Sequence, residues 1–219
     1  MMGKRYDLIV FDWDGTVMDS TAVIAGSIQA ACRDLGLPVP SDEAARHVIG
    51  MGLRDALQYA VPDASEDMYD QLVASYRRHF LAQDASIPLY PGARETIAEL
   101  CDNGISLAIA TGKSRNGLDR ALHSSNMSSY FHASRTADET FSKPHPAMLL
   151  ELMDELAIKP ERTLMVGDTT HDLQMAANAK VDALALTHGA HPEEHLSMLK
   201  TVAMLGNFDE LRGWLAENV

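Results

Sequence analysis

The stretch that decides the fold is residues 7–16, which read DLIVFDWDGT. Its apolar part, residues 8–11, is a β-branched and aromatic run of the kind that forms a buried strand. Two carboxylates, Asp12 and Asp14, follow one residue apart, and they would project the same way if strand geometry continued. Gly15 then permits a sharp turn. These residues alone fit an ordinary strand-and-turn corner, and they also fit a pair of repelling acids that a divalent cation would stabilise.

Composition restricts the classes of function that need to be considered. The chain has 219 residues, 46% hydrophobic and 22% charged, which is an ordinary globular composition with room for one large domain or a domain carrying an insertion. A formal net charge of -13 argues against nucleic acid or an anionic membrane as a partner. Cys32 and Cys101 have no CxxC spacing, and the apolar run after Lys4 and Arg5 is too short for a signal peptide or a membrane span. We therefore expect a cytoplasmic protein.

Residues 20–85 carry several helix patterns and no convincing strand pattern. Ser20 is a candidate cap for a helix at 21–35, and Ser41 begins a short helix that ends near residue 49. Further helices are predicted at 53–60 and from residue 63 or 65 onward, where apolar side chains recur at helical spacing. This helical block interrupts a chain whose remainder alternates between strands and helices.

Outside that block, apolar strands are predicted at 105–110, 163–166 and 183–186, with a possible last strand at 202–205. Helices are predicted around them, at 93–101, after residue 114, at 147–157, at 173–179 and from residue 209. Strands that alternate with helices indicate an α/β fold, a doubly wound and mostly parallel sheet with helices on both faces. The ligands of such sheets bind outside the carboxyl ends of the strands.

Residues able to do chemistry follow these strand ends and one loop: Asp12, Asp14, Thr111, Gly112, Lys143, Asp168 and Asp172. Each has an ordinary explanation by itself. Thr111 with Gly112 forms a common turn, Lys143 is a solvated loop charge, and Asp172 is an N-cap acid of the following helix. Together, at one edge of a parallel sheet, they describe a site with a carboxylate nucleophile, a second acid, a metal-binding carboxylate, a hydroxyl beside N–H donors, and a cation.

The order and spacing of these residues resemble a known family. The four segments Asp12-x-Asp14-Gly15-Thr16, Thr111-Gly112, Lys143-Pro144-x-Pro146 and Gly167-Asp168-x-x-x-Asp172 resemble the four motifs of the haloacid dehalogenase superfamily. The helical block resembles the C1 cap of that superfamily, and within it the chain looks most like the phosphoglycolate-phosphatase-like members. The resemblance implies a Rossmann-like catalytic core formed by residues 1–17 and 88–219, with a helical C1 cap at 18–87.

The resemblance also implies a role for each acid. Asp12 would attack phosphorus in line and form an aspartyl-phosphate, and Asp14 would give a proton to the leaving alkoxide and take one from the attacking water. Mg²⁺ would be held by Asp12, by the backbone carbonyl of Asp14 and by Asp168, while Asp172 would orient metal-bound water from behind these ligands.

The remaining predicted site residues bind substrate. Thr111, the N–H of Gly112 and Lys143 would bind the phosphoryl oxygens, and Lys143 would also screen Asp12 from the incoming anion. Arg54 lies where a cap loop would reach the leaving group, although a solvated arginine at a helix start is the alternative. We expect a small phosphorylated metabolite as substrate, and a monomer or weak dimer.

Single residues distinguish between several alternative activities. A halide leaves unprotonated, so Asp14 favours phosphoryl chemistry over dehalogenation, and no lysine lies between residues 17 and 90 to serve a phosphonatase. A phosphomutase of the β-phosphoglucomutase type would carry an acid and a histidine where Ala22 and Ile24 stand here. A catalytically silent binding protein on the same fold stays open. Lys113 and Arg115 either assist anion binding or lie on the surface.

Overall fold

A parallel sheet of six strands organises the molecule. The computed structural model describes residues 5–219, so the first four residues of the predicted core segment 1–17, Lys4 among them, lie outside the described residues. The strands are β1 (Leu8–Phe11), β2 (Ser106–Thr111), β3 (Ala133–Thr136), β4 (Thr163–Gly167), β5 (Asp182–Leu186) and β6 (Ala203–Leu205). Their order is β3-β2-β1-β4-β5-β6, with every neighbouring pair parallel. The predicted α/β class is confirmed.

Ten α-helices connect and cover these strands within residues 5–219. They are α1 (Thr21–Asp34), α2 (Asp42–His47), α3 (Leu53–Ala60), α4 (Glu66–Leu81), α5 (Ala93–Asp102), α6 (Arg115–Ser124), α7 (Ala147–Glu155), α8 (Thr170–Ala179), α9 (Glu193–Leu196) and α10 (Phe208–Asn218). Three single 3₁₀ turns lie at Asp84–Ser86, Ser128–Tyr130 and Pro160–Arg162. Among the helices of the described chain, none has both the length and the apolar character that a membrane span requires.

The opening stretch forms the centre of the sheet. All four residues of β1 are buried, as expected for a strand that is covered on both faces. Leu8 and Val10 belong to one apolar cluster, whereas Ile9 and Phe11 belong to the other, so β1 contributes to the core on both sides of the sheet. In the register of the sheet Phe11 pairs with Ile109 of β2 and with Val166 of β4. The residues that follow these three strands are therefore brought to one edge.

The helices α1–α4, which we call the helical block, leave the sheet after β1 and return before α5. The two connecting segments run side by side, because the N–H of Asp19 donates to the carbonyl of Pro88 at 3.0 Å and the N–H of Tyr90 donates to the carbonyl of Val17 at 3.0 Å. Within the block, α1 packs against α4. The helical block is thus joined to the sheet through two connecting segments that lie side by side.

Three local predictions differ from the structure. Strand β3 is absent from the predicted strands, because this edge strand contains Ser134 and Arg135 and has no apolar run. Helix α9 was not predicted. Ser20 occupies the N-cap position of α1, but its hydroxyl caps nothing and donates instead to Asp14 Oδ1 at 2.7 Å. The bounds of α2 and α3 agree with the prediction, and Ser41 caps α2 by accepting the Ala44 N–H.

Candidate active site

Three buried carboxylates meet at the carboxyl edge of the sheet. Asp12 follows β1, Asp168 follows β4 and Asp172 lies in the first turn of α8; all three are fully buried. One carboxylate oxygen from each lies within 4.8 Å of the others. The N–H of Asp12 donates to the carbonyl of Val166 at 2.9 Å, so the β1–β4 pairing continues to this residue and holds it in place.

Lys143 is the cation of this cluster. Its Nζ lies 2.8 Å from Asp12 Oδ1 and 2.6 Å from Asp172 Oδ1, and its side chain is fully buried. Burial alone would lower the pKa of Lys143, but the charges of Asp12 and Asp172 raise it above the usual lysine range. The lysine is therefore charged at neutral pH, and it neutralises only part of the charge that three ionised carboxylates carry.

The carboxylates of Asp168 and Asp172 are oriented by neighbouring donors. Thr16 Oγ1 donates to Asp168 Oδ1 at 2.6 Å, and the N–H of Ala190 donates to Asp168 Oδ2 at 2.7 Å. The N–H and Oγ1 of Thr169 both donate to Asp172 Oδ2, at 3.1 and 2.7 Å, which completes a capping box. Asp172 therefore does cap helix α8, as the alternative interpretation predicted. Its other carboxylate oxygen, Oδ1, contacts Lys143 at the same time.

Burial opposes ionisation of these acids. It raises the pKa of Asp12 well above its usual value, against the effect of Lys143, and the charges of Asp172 and Asp168 raise it further. Burial and then the charge of Asp172 raise the pKa of Asp168 to about 7. A positive charge placed among the carboxylates would reverse this tendency, because it stabilises the ionised forms.

The cluster fits a divalent cation. Asp12 Oδ2 is fully buried and has no hydrogen-bond partner among residues 5–219. This carboxylate oxygen is therefore free to bind a cation. Carboxylate oxygens are the preferred ligands of Mg²⁺ and Ca²⁺. The residues that can hold such an ion are Asp12, Asp168 and Asp172, so the structure brings Asp172 as close as the two acids whose carboxylates were predicted as ligands.

The side chain of Asp14 lies apart from this cluster. Strand β1 ends at Phe11, and the carboxylate of Asp14 accepts from Ser20 Oγ at 2.7 Å and lies 3.0 Å from Lys113 Nζ. Asp14 was predicted to reach the metal through its backbone carbonyl alone, and that role stays a prediction. The two acids of the opening stretch therefore have separate partners, which suits them to different chemical roles.

The sequence left undecided whether Lys113 assists anion binding or lies on the surface. Its side chain is only 8% exposed, so the surface alternative does not hold. Besides contacting Asp14, its Nζ lies 4.6 Å from the centroid of the Phe80 ring of α4, a cation–π contact. Lys113 thus connects the acid at the end of β1 to the helical block. Arg115, in contrast, pairs with Glu139 at 2.6 Å and Asp119 at 3.4 Å, away from these acids.

The loop between α2 and α3 covers the second motif. Thr111 is the last residue of β2 and is buried, and its Oγ1 accepts the Lys113 N–H at 3.2 Å. A Cβ added to Gly112 would overlap the carbonyl oxygens of Gly50 and Met51, so only glycine allows this approach. The N–H of Gly52 donates to Ser142 Oγ at 2.8 Å and ties the same loop to the segment that carries Lys143.

Three histidines form a further contact between the helical block and the sheet side. The backbone carbonyl of His47, the last residue of α2, lies 2.8 Å from His171 Nε2 and 2.9 Å from His191 Nε2. Nδ1 of His191 accepts the N–H of Thr170, so its proton is on Nε2, which donates to the carbonyl. None of these three histidines was among the predicted site residues. No signal could have joined residues 47, 171 and 191, because they belong to three distant segments.

A cavity of about 570 Å³ opens beside Asp14 and Lys113. The helical block forms most of its wall, and Asp14 together with the segments that follow β2 and β3 forms the rest. Arg54 lies on this wall, but it is half exposed and pairs with Glu66 at 3.0 Å and Asp70 at 3.2 Å. Its predicted contact with the leaving group stays a prediction.

Comparisons with known proteins identify a matching family and several relatives. A family model described as haloacid dehalogenase-like hydrolase matches residues 9–186, a range that contains Asp12, Asp14, Thr111, Lys143 and Asp168. The chain is 34% identical over 212 residues to the probable phosphatase IndB of Dickeya dadantii, covering 94% of this chain and 92% of that protein. It is 31% identical over 189 residues to a phosphoglycolate phosphatase of Pseudomonas putida, covering 83% and 70%. A crystal structure described as a predicted phosphoglycolate phosphatase from Haemophilus somnus superposes with a TM-score of 0.87 at 26% identity, covering 97% and 99%.

Proposed function

Because the chain belongs to the haloacid dehalogenase-like hydrolase family, we propose that it is a Mg²⁺-dependent phosphatase that hydrolyses the phosphomonoester of a small metabolite through an aspartyl-phosphate. The names of the relatives support phosphatase chemistry and a phosphoglycolate-phosphatase-like assignment. The observation that carries the proposal is the buried group of Asp12, Lys143, Asp168 and Asp172, with one oxygen of Asp12 left free.

Asp12 is the proposed nucleophile. Its Oδ1 is held by the N–H of Trp13 at 2.6 Å and by Lys143 at 2.8 Å, which fixes the orientation of the carboxylate. The attack forms a bond from a carboxylate oxygen of Asp12 to phosphorus and breaks the bond from phosphorus to the alcohol oxygen. Lys143 favours the ionised form of Asp12 against the effect of burial, and it reduces the repulsion between this carboxylate and the phosphate dianion.

Asp14 is the proposed acid and base. In the first step it donates a proton to the leaving alkoxide, and in the second it takes a proton from the water that hydrolyses the aspartyl-phosphate. The proposal is supported by its position, since Asp14 borders the cavity that would hold the alcohol and its carboxylate is held there by Ser20 and Lys113. The separate surroundings of Asp12 and Asp14 support a division of roles between two neighbouring acids.

Mg²⁺ bound by Asp12, Asp168 and the backbone carbonyl of Asp14 would supply charge stabilisation to the phosphoryl oxygens. Asp172, which the geometry places among the carboxylates, is proposed either as a further ligand or as the group that orients metal-bound water. Thr111, the Gly112 N–H and Lys143 are proposed to bind the phosphoryl oxygens. Such groups act by donating hydrogen bonds where negative charge develops.

We also propose that residues 18–87 form a cap on a core made of residues 1–17 and 88–219. The paired connecting segments after β1 and before α5 support this division, because they are the one place where the block enters and leaves the sheet. The loop that covers Gly112 would then move with the cap when substrate enters. A cytoplasmic location, supported by the two free thiols Cys32 and Cys101, is proposed with it, as is a monomer or weak dimer.

Hydrolysis of 4-nitrophenyl phosphate tests the proposal. Wild type should release phosphate with Mg²⁺ and stop when the ion is chelated, and Asp12→Asn should be inactive while keeping its circular dichroism spectrum. No turnover above the Asp12→Asn blank, on any of a panel of phosphorylated metabolites, would favour a silent binding protein instead. Conversion of a sugar 1-phosphate into its 6-phosphate without release of phosphate would favour the phosphomutase alternative, although Ala22 and Ile24 do not supply its proton chemistry.

A further inference from the structure

The cavity beside Asp14 is larger than a two-carbon leaving group requires. Its volume of about 570 Å³ falls within the roughly 300–1,000 Å³ of pockets that enclose drug-sized ligands. The alcohol of 2-phosphoglycolate is glycolate, which has two carbons and would occupy only the inner end beside Asp14. The remaining space would accommodate a substrate with a longer alcohol. This inference rests on the proposed phosphatase function.

The inner wall of the cavity is apolar. Ile24 and Ile28 of α1 line one side and Phe80 of α4 lines another, and all three are largely buried in the structure. Tyr76, one helical turn before Phe80, stacks on it with ring centroids 5.8 Å apart. An apolar surface of this kind stabilises the carbon chain or ring of a ligand rather than a small hydrated acid.

The outer part of the same helix face carries a cation that has no partner among the described residues. Arg77 and Leu81 follow Tyr76 and Phe80 on α4, line the cavity as well, and are exposed. No ion pair or side-chain hydrogen bond within residues 5–219 involves Arg77, whereas the other three cations of the wall are paired: Lys113 with Asp14, Arg54 with Glu66 and Asp70, and Arg120 with Asp84.

The wall carries a second polar group without a partner among the described residues. The hydroxyl of Tyr76 makes no hydrogen bond within the described residues, although its ring is packed against Phe80. Among the acids of the wall other than Asp14, Asp138 accepts from Thr136 Oγ1 at 2.7 Å, and Asp55 lies in the first turn of α3, where a helix terminus favours negative charge. Asn116 also lines the cavity without a side-chain hydrogen bond within the described residues, so among the cations of the described wall Arg77 is the one left for the anion of a ligand.

We propose that the preferred substrate is the phosphomonoester of an alcohol with an apolar segment of several carbons and a second anionic group, a carboxylate or phosphate, at its far end. The ester oxygen lies at Asp14, the apolar segment packs between Ile28 and Phe80, and the far anion pairs with Arg77. Arginine suits this role because its planar guanidinium binds carboxylate and phosphate through two parallel hydrogen bonds.

The test is a series of ω-carboxyalkyl phosphates of increasing chain length, beginning with 2-phosphoglycolate, each compared with the n-alkyl phosphate of the same length. We expect kcat/KM to rise about fourfold for each methylene that the apolar wall buries, until the chain reaches Arg77. At that length the carboxylated substrate should exceed the neutral one by about tenfold, as expected for a charge-assisted hydrogen bond at a partly exposed site.

Arg77→Gln should reduce the ratio of kcat/KM for the carboxylated substrate to kcat/KM for the neutral substrate about tenfold, and Arg77→Lys should restore part of that ratio. Arg33→Gln, which removes an exposed arginine of α1 outside the cavity, is the matched control. A kcat/KM that is highest for 2-phosphoglycolate and falls with chain length would overturn the inference and leave the phosphatase proposal standing. Inactivity of wild type toward every substrate, including 4-nitrophenyl phosphate, would overturn both.

Discussion

Replacing Lys143 by methionine removes the buried cation while keeping an unbranched side chain of similar length. Lys143 is fully buried and contacts Asp12 at 2.8 Å and Asp172 at 2.6 Å, so the substitution leaves these carboxylates with no positive partner in contact. Breaking a buried ion pair from one side costs about 3–5 kcal/mol, because a charge is left unpaired in a poorly solvated place. We expect a loss of that size in the free energy of unfolding when no divalent cation is present.

For a chain of this length, 1 kcal/mol corresponds to about 2–4 °C in the unfolding temperature, so Lys143→Met should unfold roughly 6–20 °C below wild type. The measurement is thermal unfolding followed by circular dichroism, first with a chelator and then with millimolar Mg²⁺. Because the destabilisation comes from excess negative charge, Mg²⁺ should raise the unfolding temperature of the variant more than that of wild type. Turnover should nevertheless stay far below wild type, since the variant lacks the proposed donor to the phosphoryl oxygens.

Lys200→Ala, at an exposed lysine far along the chain, is the control, and we expect a change within about 0.5 kcal/mol. Equal unfolding temperatures for the two variants would show that the contacts of Lys143 do not carry the energy assigned to them. A normal rate for Lys143→Met would show that the lysine has no part in catalysis.

Three further outcomes are expected. Lys113→Met should lower kcat/KM for alkyl phosphates about tenfold or more while changing kcat/KM for 4-nitrophenyl phosphate little. This parameter reports formation of the aspartyl-phosphate, in which only an alkoxide needs the proton that Asp14 is proposed to supply, and equal losses of kcat/KM on both substrates would contradict a positioning role for Lys113. Asp168→Asn should reduce the stabilisation that Mg²⁺ gives to the fold, measured as the shift of the urea midpoint on adding the ion, and an undiminished shift would place the ion elsewhere. Glu139→Gln should destabilise the fold by about 0.2–1 kcal/mol near neutral pH. Hydrogen bonding to Arg115 lowers the pKa of Glu139 to about 2, so the stabilisation that its carboxylate gives is present above the ordinary pKa of 4.5 and is lost as the pH falls toward 2. The urea midpoints of variant and wild type should therefore converge near pH 2.

The sheet was predictable where local pattern and burial agree. The run at residues 8–11 has apolar side chains in every position because both faces of β1 are covered, and such a run can be recognised without a structure. Strand β3 could not be recognised, since an edge strand with Ser134 and Arg135 is held by pairing with β2 rather than by an apolar run. The same rule explains the site: carboxyl ends of parallel strands meet, so Asp12 and Asp168 could be placed together from their positions alone.

Contacts between distant segments were not predictable, because no local pattern records them. The pairing of Lys113 with Asp14 depends on the loop after β2 turning toward β1, and its contact with Phe80 depends on how the helical block sits. The contacts of His47 with His171 and His191 have the same origin. Asp172 illustrates an intermediate case, in which the helix-capping role was visible in the sequence and the second contact, to Lys143, was not.

The nucleophilic role of Asp12 is the central claim, and trapping the intermediate tests it most directly. Wild type mixed with excess substrate and Mg²⁺ is quenched in acid within the turnover time, digested and analysed by mass spectrometry, with Asp12→Asn treated identically. We expect one phosphoryl group on the wild-type peptide that contains Asp12, none on the variant, and at least about a 10³-fold lower rate of turnover for the variant. A phosphoryl group on a different residue, or turnover of Asp12→Asn within about tenfold of wild type, would contradict the account.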